Sequence, residues 1–295
     1  MLEIIKSIIF GIIEGITEWL PISSTGHMIL LDEFIKMNVS AAFKEMYLVV
    51  IQLGAIMAVV LLFWWDIWPF CGADNYDKHY VKNKKIKLLD NFLFIKQDIF
   101  IMWLKIAVAC IPAVIVELLW GDKLEATFYN YQTVSIMLIV VGIIFILVEN
   151  RNKNHAAKID SIAGITYQTA FLIGMFQLIA AVFPGTSRSG ATIIGALLLG
   201  VSRTVAAEYT FFLAVPVMFG ASLLKYLKYI AEYGLDFSAL GVTCLVVATL
   251  VAFFVSIVVI KFLLGYIKKH DFKVFGWYRI VLGILVLVCG IAGLI

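Results

Sequence analysis

The chain has 295 residues, of which 63% are hydrophobic and 15% charged, with a formal net charge of +3. A soluble globular protein is about 45–50% apolar and about 25% charged, so the composition excludes a soluble fold and reads as an integral membrane protein. With a net charge this small, the distribution of charge between loops carries more information than its sum.

The N-terminus lacks the pattern of a removable signal peptide. Glu3 and Lys6 precede an apolar run that Glu14 and Glu18 interrupt, so the whole chain is expected to be mature. A first apolar segment over residues 4–20 is broken by Pro21 and a Ser-Ser-Thr-Gly run, and a short helix is expected over 27–37. Neither piece reaches the ~20 residues a spanning helix needs, so a broken pair that enters and leaves on one side is predicted. Spans follow at 47–65, 99–119 and 131–148, with a long polar loop over 66–98. From Ser161 the plan restarts. An apolar stretch runs to Phe183, a break spans Pro184 to Gly190, and a short helix over 191–200 leads to spans at 209–227, 238–264 and 275–295.

The predicted fold is therefore an all-α polytopic membrane protein with six transmembrane helices and two re-entrant hairpins. It forms one membrane domain over 1–295, in two repeats of about 1–150 and 151–295. Aligning Pro21 with Pro184 pairs Gly11 with Gly174, Glu14 with Gln177, Ser23 with Thr186 and Ser24 with Ser187. An odd number of crossings per copy makes the repeats inverted. Loops 66–98, 150–160, 200–208 and 265–274 then share one side, with Lys78, Lys82, Lys84, Lys85, Lys87, Lys96, Arg151 and Lys158 among their cations. The positive-inside rule makes that side cytoplasmic and puts both termini outside.

Glu14 and Glu18 are one helical turn apart, about 5–6 Å at Cβ. Carboxylates that close either share a proton or are held ionised by a cation. Ser24 and His27 have the spacing for a nucleophile and its base, while one of Ser23, Ser24 and Thr25 is expected to cap the next helix. Arg188, in a break rich in small residues at a helix start, suits a phosphate. The three other histidines, His79, His155 and His270, lie in polar loops and receive no role. Cys71, Cys110, Cys244 and Cys289 are too scattered for a metal cluster. These groups converge on phosphoryl transfer or phosphate-ester hydrolysis on a lipid-soluble substrate.

The stretch Glu14-x-x-x-Glu18 with Pro21-Ile22-Ser23-Ser24-Thr25-Gly26-His27, and Pro184-Gly185-Thr186-Ser187-Arg188-Ser189-Gly190-Ala191-Thr192, resembles the two signatures of the bacterial undecaprenyl-diphosphate phosphatase family, also known for bacitracin resistance. Val49-Val50-Ile51-Gln52-Leu53-Gly54, Gly200-Val201-Ser202-Arg203 and Tyr278-Arg279 extend the resemblance, and Leu48 departs from it where an acidic residue is expected. The resemblance implies hydrolysis of the C55 isoprenyl diphosphate to its monophosphate, at a site opening to the outer face of the bacterial plasma membrane. It implies the glutamate pair at Glu14 and Glu18, the catalytic serine at Ser24, the histidine at His27 and diphosphate binding by Ser187 and Arg188. It also implies a divalent cation, magnesium or calcium, on Glu14 and Glu18. Ser23 and Thr25 are expected to help hold the substrate.

The expected partners are the isoprenyl diphosphate and the bilayer, with no nucleic acid; a homodimer is compatible with the sequence. The type 2 phosphatidic acid phosphatase pattern is excluded, because Ile194 and Leu198 occupy the places of its histidine and aspartate. A lipid-phosphate transporter or flippase built on the same inverted repeat is the alternative reading.

Overall fold

Proline, glycine and serine interrupt two apolar runs that would otherwise continue as helices, and the chain turns at both places. The computed structural model describes residues 1–71, 85–89, 93–153, 155–234 and 237–295. Helix α1 (Leu2–Thr17) is followed by α2 (Ser24–Phe34), and α3 (Ala41–Val50) with α4 (Gln52–Leu62) makes one apolar span. After α5 (Trp64–Ile67) come β1 (Phe70–Cys71), β2 (Lys85–Leu89) and β3 (Leu93–Lys96), an antiparallel sheet in the order β1-β3-β2. This small sheet lies in the long polar loop, outside the six apolar spans, and leaves the all-α membrane architecture as expected. The alternation Lys85-Ile86-Lys87-Leu88 is the two-residue period of a strand, which a count of loop lysines passes over. Lys78, Lys82, Lys84 and His79 lie outside the described residues.

Helices α6 (Gln97–Phe128) and α7 (Tyr131–Asn152) complete the first half, and α8 (Tyr167–Val182), α9 (Arg188–Leu198), α10 (Arg203–Tyr233), α11 (Ala239–Ile267) and α12 (Lys273–Ile291) form the second. Among the described residues, six spans are long and apolar enough to cross a membrane: α3–α4, α6, α7, α10, α11 and α12. Helix α6 runs well past its expected end at 119, carrying Asp122, Lys123 and Glu125, because hydropathy marks the apolar part of a helix and not where its hydrogen bonding stops.

Each short pair starts and finishes at one level. Lys6 Nζ donates to the Lys36 carbonyl (2.5 Å) and the Asn38 amide to the Glu3 carboxylate (3.0 Å). In the second pair the Lys158 amide donates to the Gly200 carbonyl and the Ser202 amide to that of Ile159, both at 2.8 Å. The two halves also interlock, with α1 packed on α11, α8 on α6 and α7 on α12. A Cβ at Gly11 would collide with the carbonyl oxygen of Ala248, and one at Gly174 with that of Ala109. The glycines paired by sequence thus serve the same close helix approach in each half.

Candidate active site

The two breaks meet, and the residue that joins them comes from the last span. Arg279 is fully buried. Its Nη1 donates to the Pro21 carbonyl (3.2 Å), and its Nη2 to those of Gly185 and Thr186 (2.8 Å each). A buried guanidinium needs acceptors, and turn carbonyls left over from helix hydrogen bonding supply them.

Beyond each turn a serine opens the next helix. Ser23 (φ 73°) and Ser187 (φ 68°) are the two non-glycine residues with positive φ among the described residues, a conformation that costs roughly 1–3 kcal/mol each. Each caps the first turn of its helix, Ser23 Oγ accepting from the Gly26 amide and Ser187 Oγ from the Gly190 amide. Structurally, then, Ser23 corresponds to Ser187 and Ser24 to Arg188. The alignment from the prolines slips by one residue because the second break places one more residue between its proline and its capping serine.

Glu18, which caps the end of α1, is the hub. Its Oε1 accepts from Arg188 Nη2 (2.7 Å), its Oε2 from Ser24 Oγ (3.0 Å), and its main-chain carbonyl from Ser189 Oγ (3.2 Å). Arg188 Nη2 also lies 3.1 Å from Met218 Sδ. Glu14 sits one turn earlier and is buried. Its Oε1, together with Arg188 Nη1 and Thr186 Oγ1, is buried with no protein partner. Orphaned polar atoms of both signs around one salt bridge describe a place where a polar ligand completes the hydrogen bonding.

The hydroxyl–imidazole pair expected between Ser24 and His27 is not made. Helix α2 starts at Ser24, so the His27 ring folds back one turn, with Nδ1 2.7 Å from the Ser23 carbonyl and Nε2 2.7 Å from the Tyr278 hydroxyl. Thr25 is half-buried in the first turn of α2, beside Ser24. Gln177, the counterpart of Glu14, is buried with both amide atoms unpartnered. Sequence reasoning noted Tyr278 and Arg279 without assigning them roles. The available signal was an arginine inside an apolar run.

Among the described residues, no cluster of three or more His, Cys, Asp and Glu side chains forms a metal cage. Magnesium is bound through one or two carboxylates with water and phosphate oxygens, and two adjacent glutamates, one with an orphaned oxygen, fit that demand.

The family described as bacitracin resistance protein BacA matches residues 7–285. The chain belongs to that family. A relative from Desulfitobacterium hafniense named undecaprenyl-diphosphatase is 59% identical over 287 residues, covering 97% of this chain and 96% of its own. Undecaprenyl-diphosphatase 1 of Clostridium acetobutylicum is 60% identical over 287 residues, 97% of each chain. An Enterococcus faecalis undecaprenyl-diphosphatase is 57% identical over 286 residues, 97% of this chain and 96% of its own. Both breaks and Arg279 fall inside the stretch matched by the BacA family.

Proposed function

We propose that this BacA-family chain is a phosphatase that hydrolyses undecaprenyl diphosphate to undecaprenyl phosphate and inorganic phosphate, recycling the lipid carrier of cell-wall synthesis. The observation that carries the reading is the line Arg188–Glu18–Ser24, an anion-binding fork joined through one carboxylate to a hydroxyl. The names of its relatives supply the substrate.

Arg188 turns from Glu18 to the diphosphate, with Ser187, Ser23 and Thr25 beside it. That frees Glu18 Oε1, while its Oε2 keeps the hydrogen bond from the Ser24 hydroxyl. Ser24 Oγ attacks the terminal phosphorus as Glu18 Oε2 takes that proton. The bond from phosphorus to the bridging oxygen breaks, and its electron pair leaves with undecaprenyl phosphate. Water then attacks the phosphoserine. The bond to Oγ breaks, Ser24 recovers the proton from Glu18, and the proton of the water passes to His27 Nε2. Glu14 and Glu18 would hold a divalent cation, magnesium or calcium. When bound, that ion shares the negative charge of the phosphates.

The membrane arrangement belongs to the same proposal. Each short pair starts and ends at one level, which supports two re-entrant hairpins, and the matched approaches at Gly11 and Gly174 support an inverted repeat of about 1–150 and 151–295. The lysine-rich loops support a cytoplasm at the far end, both termini outside, and the first hairpin open to the outer face of a bacterial plasma membrane.

The test is phosphate release from a C55 diphosphate by the purified protein in detergent, with and without a chelator. Release that the chelator abolishes is expected, and no release in either condition rejects the enzyme reading. Acid quench during turnover should trap a phosphoserine at Ser24; its absence would hand the attack to water.

A further inference from the structure

The mechanism above leaves one contact of the site unexplained. His27 Nδ1 faces the Ser23 carbonyl, which can only accept, so Nδ1 carries the ring proton. In the neutral ring Nε2 is then the acceptor, and the Tyr278 hydroxyl, 2.7 Å away, donates to it. The two rings are stacked, 5.6 Å between centroids and 9° from parallel. The only basic atom of the imidazole is thus already occupied by a residue from the opposite end of the chain. Tyr278 adjoins Arg279, so a single turn of α12 holds both breaks and the histidine.

We infer that Tyr278 is a positioning residue for the hydrolytic step. Its hydroxyl aims the imidazole and occupies the place beside Nε2 that the attacking water takes when substrate is bound. This rests on the proposed phosphatase reading, and in particular on His27 receiving the proton of the water. A plain interfacial tyrosine is the competing account, since Tyr278 is exposed and tyrosines gather at membrane boundaries. The accounts differ in what depends on the hydroxyl. A boundary anchor works through its ring, which Tyr278→Phe retains.

The test is steady-state kinetics of Tyr278→Phe with the C55 diphosphate, alone and in a His27→Gln background. Alone, the variant should lose about tenfold in kcat with KM within about twofold, the size of a misaimed acid–base group. In the His27→Gln background the same substitution should change nothing. Unchanged kcat, a loss confined to KM, or an equal loss in both backgrounds overturns the assignment. If His27→Gln alone turns over like the wild type, the role of His27 fails and takes this inference with it, while Ser24 attack still stands on its own test. A readout without turnover comes from 15N-histidine NMR on protein in which His79, His155 and His270 are replaced. Tyr278→Phe should move the Nε2 resonance of His27 and leave its Nδ1 resonance in place; an unmoved Nε2 overturns the contact itself.

Discussion

Glu18 and Arg188, 170 positions apart in the chain, meet at 2.7 Å with both side chains largely buried, and this salt bridge is the point where the two breaks exchange charge. Removing one partner from such a buried pair strands the other, at about 3–5 kcal/mol. That penalty and the loss of phosphate binding can be separated by experiment.

Arg188→Lys keeps the charge and loses the fork. Phosphate release should fall about 100-fold or more in kcat/KM, because a point charge cannot serve the equatorial phosphate oxygens as a guanidinium does. The thermal midpoint in detergent should move little. A variant with near-normal turnover would remove Arg188 from the diphosphate site.

Glu18→Gln keeps the shape and removes the base. Phosphoserine formation, read by rapid quench, should slow about 100-fold or more. Glu14→Gln removes a cation-holding carboxylate but leaves the base, so it should raise the cation concentration needed for half-maximal activity and recover at saturating cation, whereas Glu18→Gln stays slow at any concentration. A cation titration of both variants distinguishes the two roles. Equal behaviour would merge them.

Arg279→Ala leaves the carbonyls of Pro21, Gly185 and Thr186 without their common donor. At about 1–3 kcal/mol for an unsatisfied buried group, a large drop in thermal midpoint should accompany loss of activity. Measured by unfolding in detergent, a wild-type midpoint would show that the breaks hold together without it.

Gly11→Leu and Gly174→Leu should each prevent stable folding, because a Cβ at either position runs into the backbone of a packed helix. Gly220, inside α10, has nothing within 4 Å of a would-be Cβ, so Gly220→Ala should be neutral or stabilise by about 0.4–1 kcal/mol. Thermal melts of the three variants check the contrast.

The spans and both breaks were legible because apolar length and Pro-Gly punctuation are local signals. So was the pairing of Gly11 with Gly174, which sits before either break. The correspondence of Ser23 with Ser187 was not legible, since it depends on how many residues each turn consumes before the cap. The direction of His27 was likewise hidden: spacing puts it one turn from Ser24, but the helix start at Ser24 sends its ring back to the Ser23 carbonyl. Arg279 escaped because its partners are main-chain carbonyls 258, 94 and 93 positions away, and carbonyls carry no sequence signature.

The dependence of both breaks on Arg279 also sets an order of events during synthesis. A chain made from its N-terminus delivers Glu14 to His27 to the membrane first and Arg188 much later, yet neither turn has its donor until α12 emerges. The newborn protein therefore stays catalytically silent until its last span is in place, and a chain truncated before Lys273 should insert into the bilayer without ever acquiring a working site.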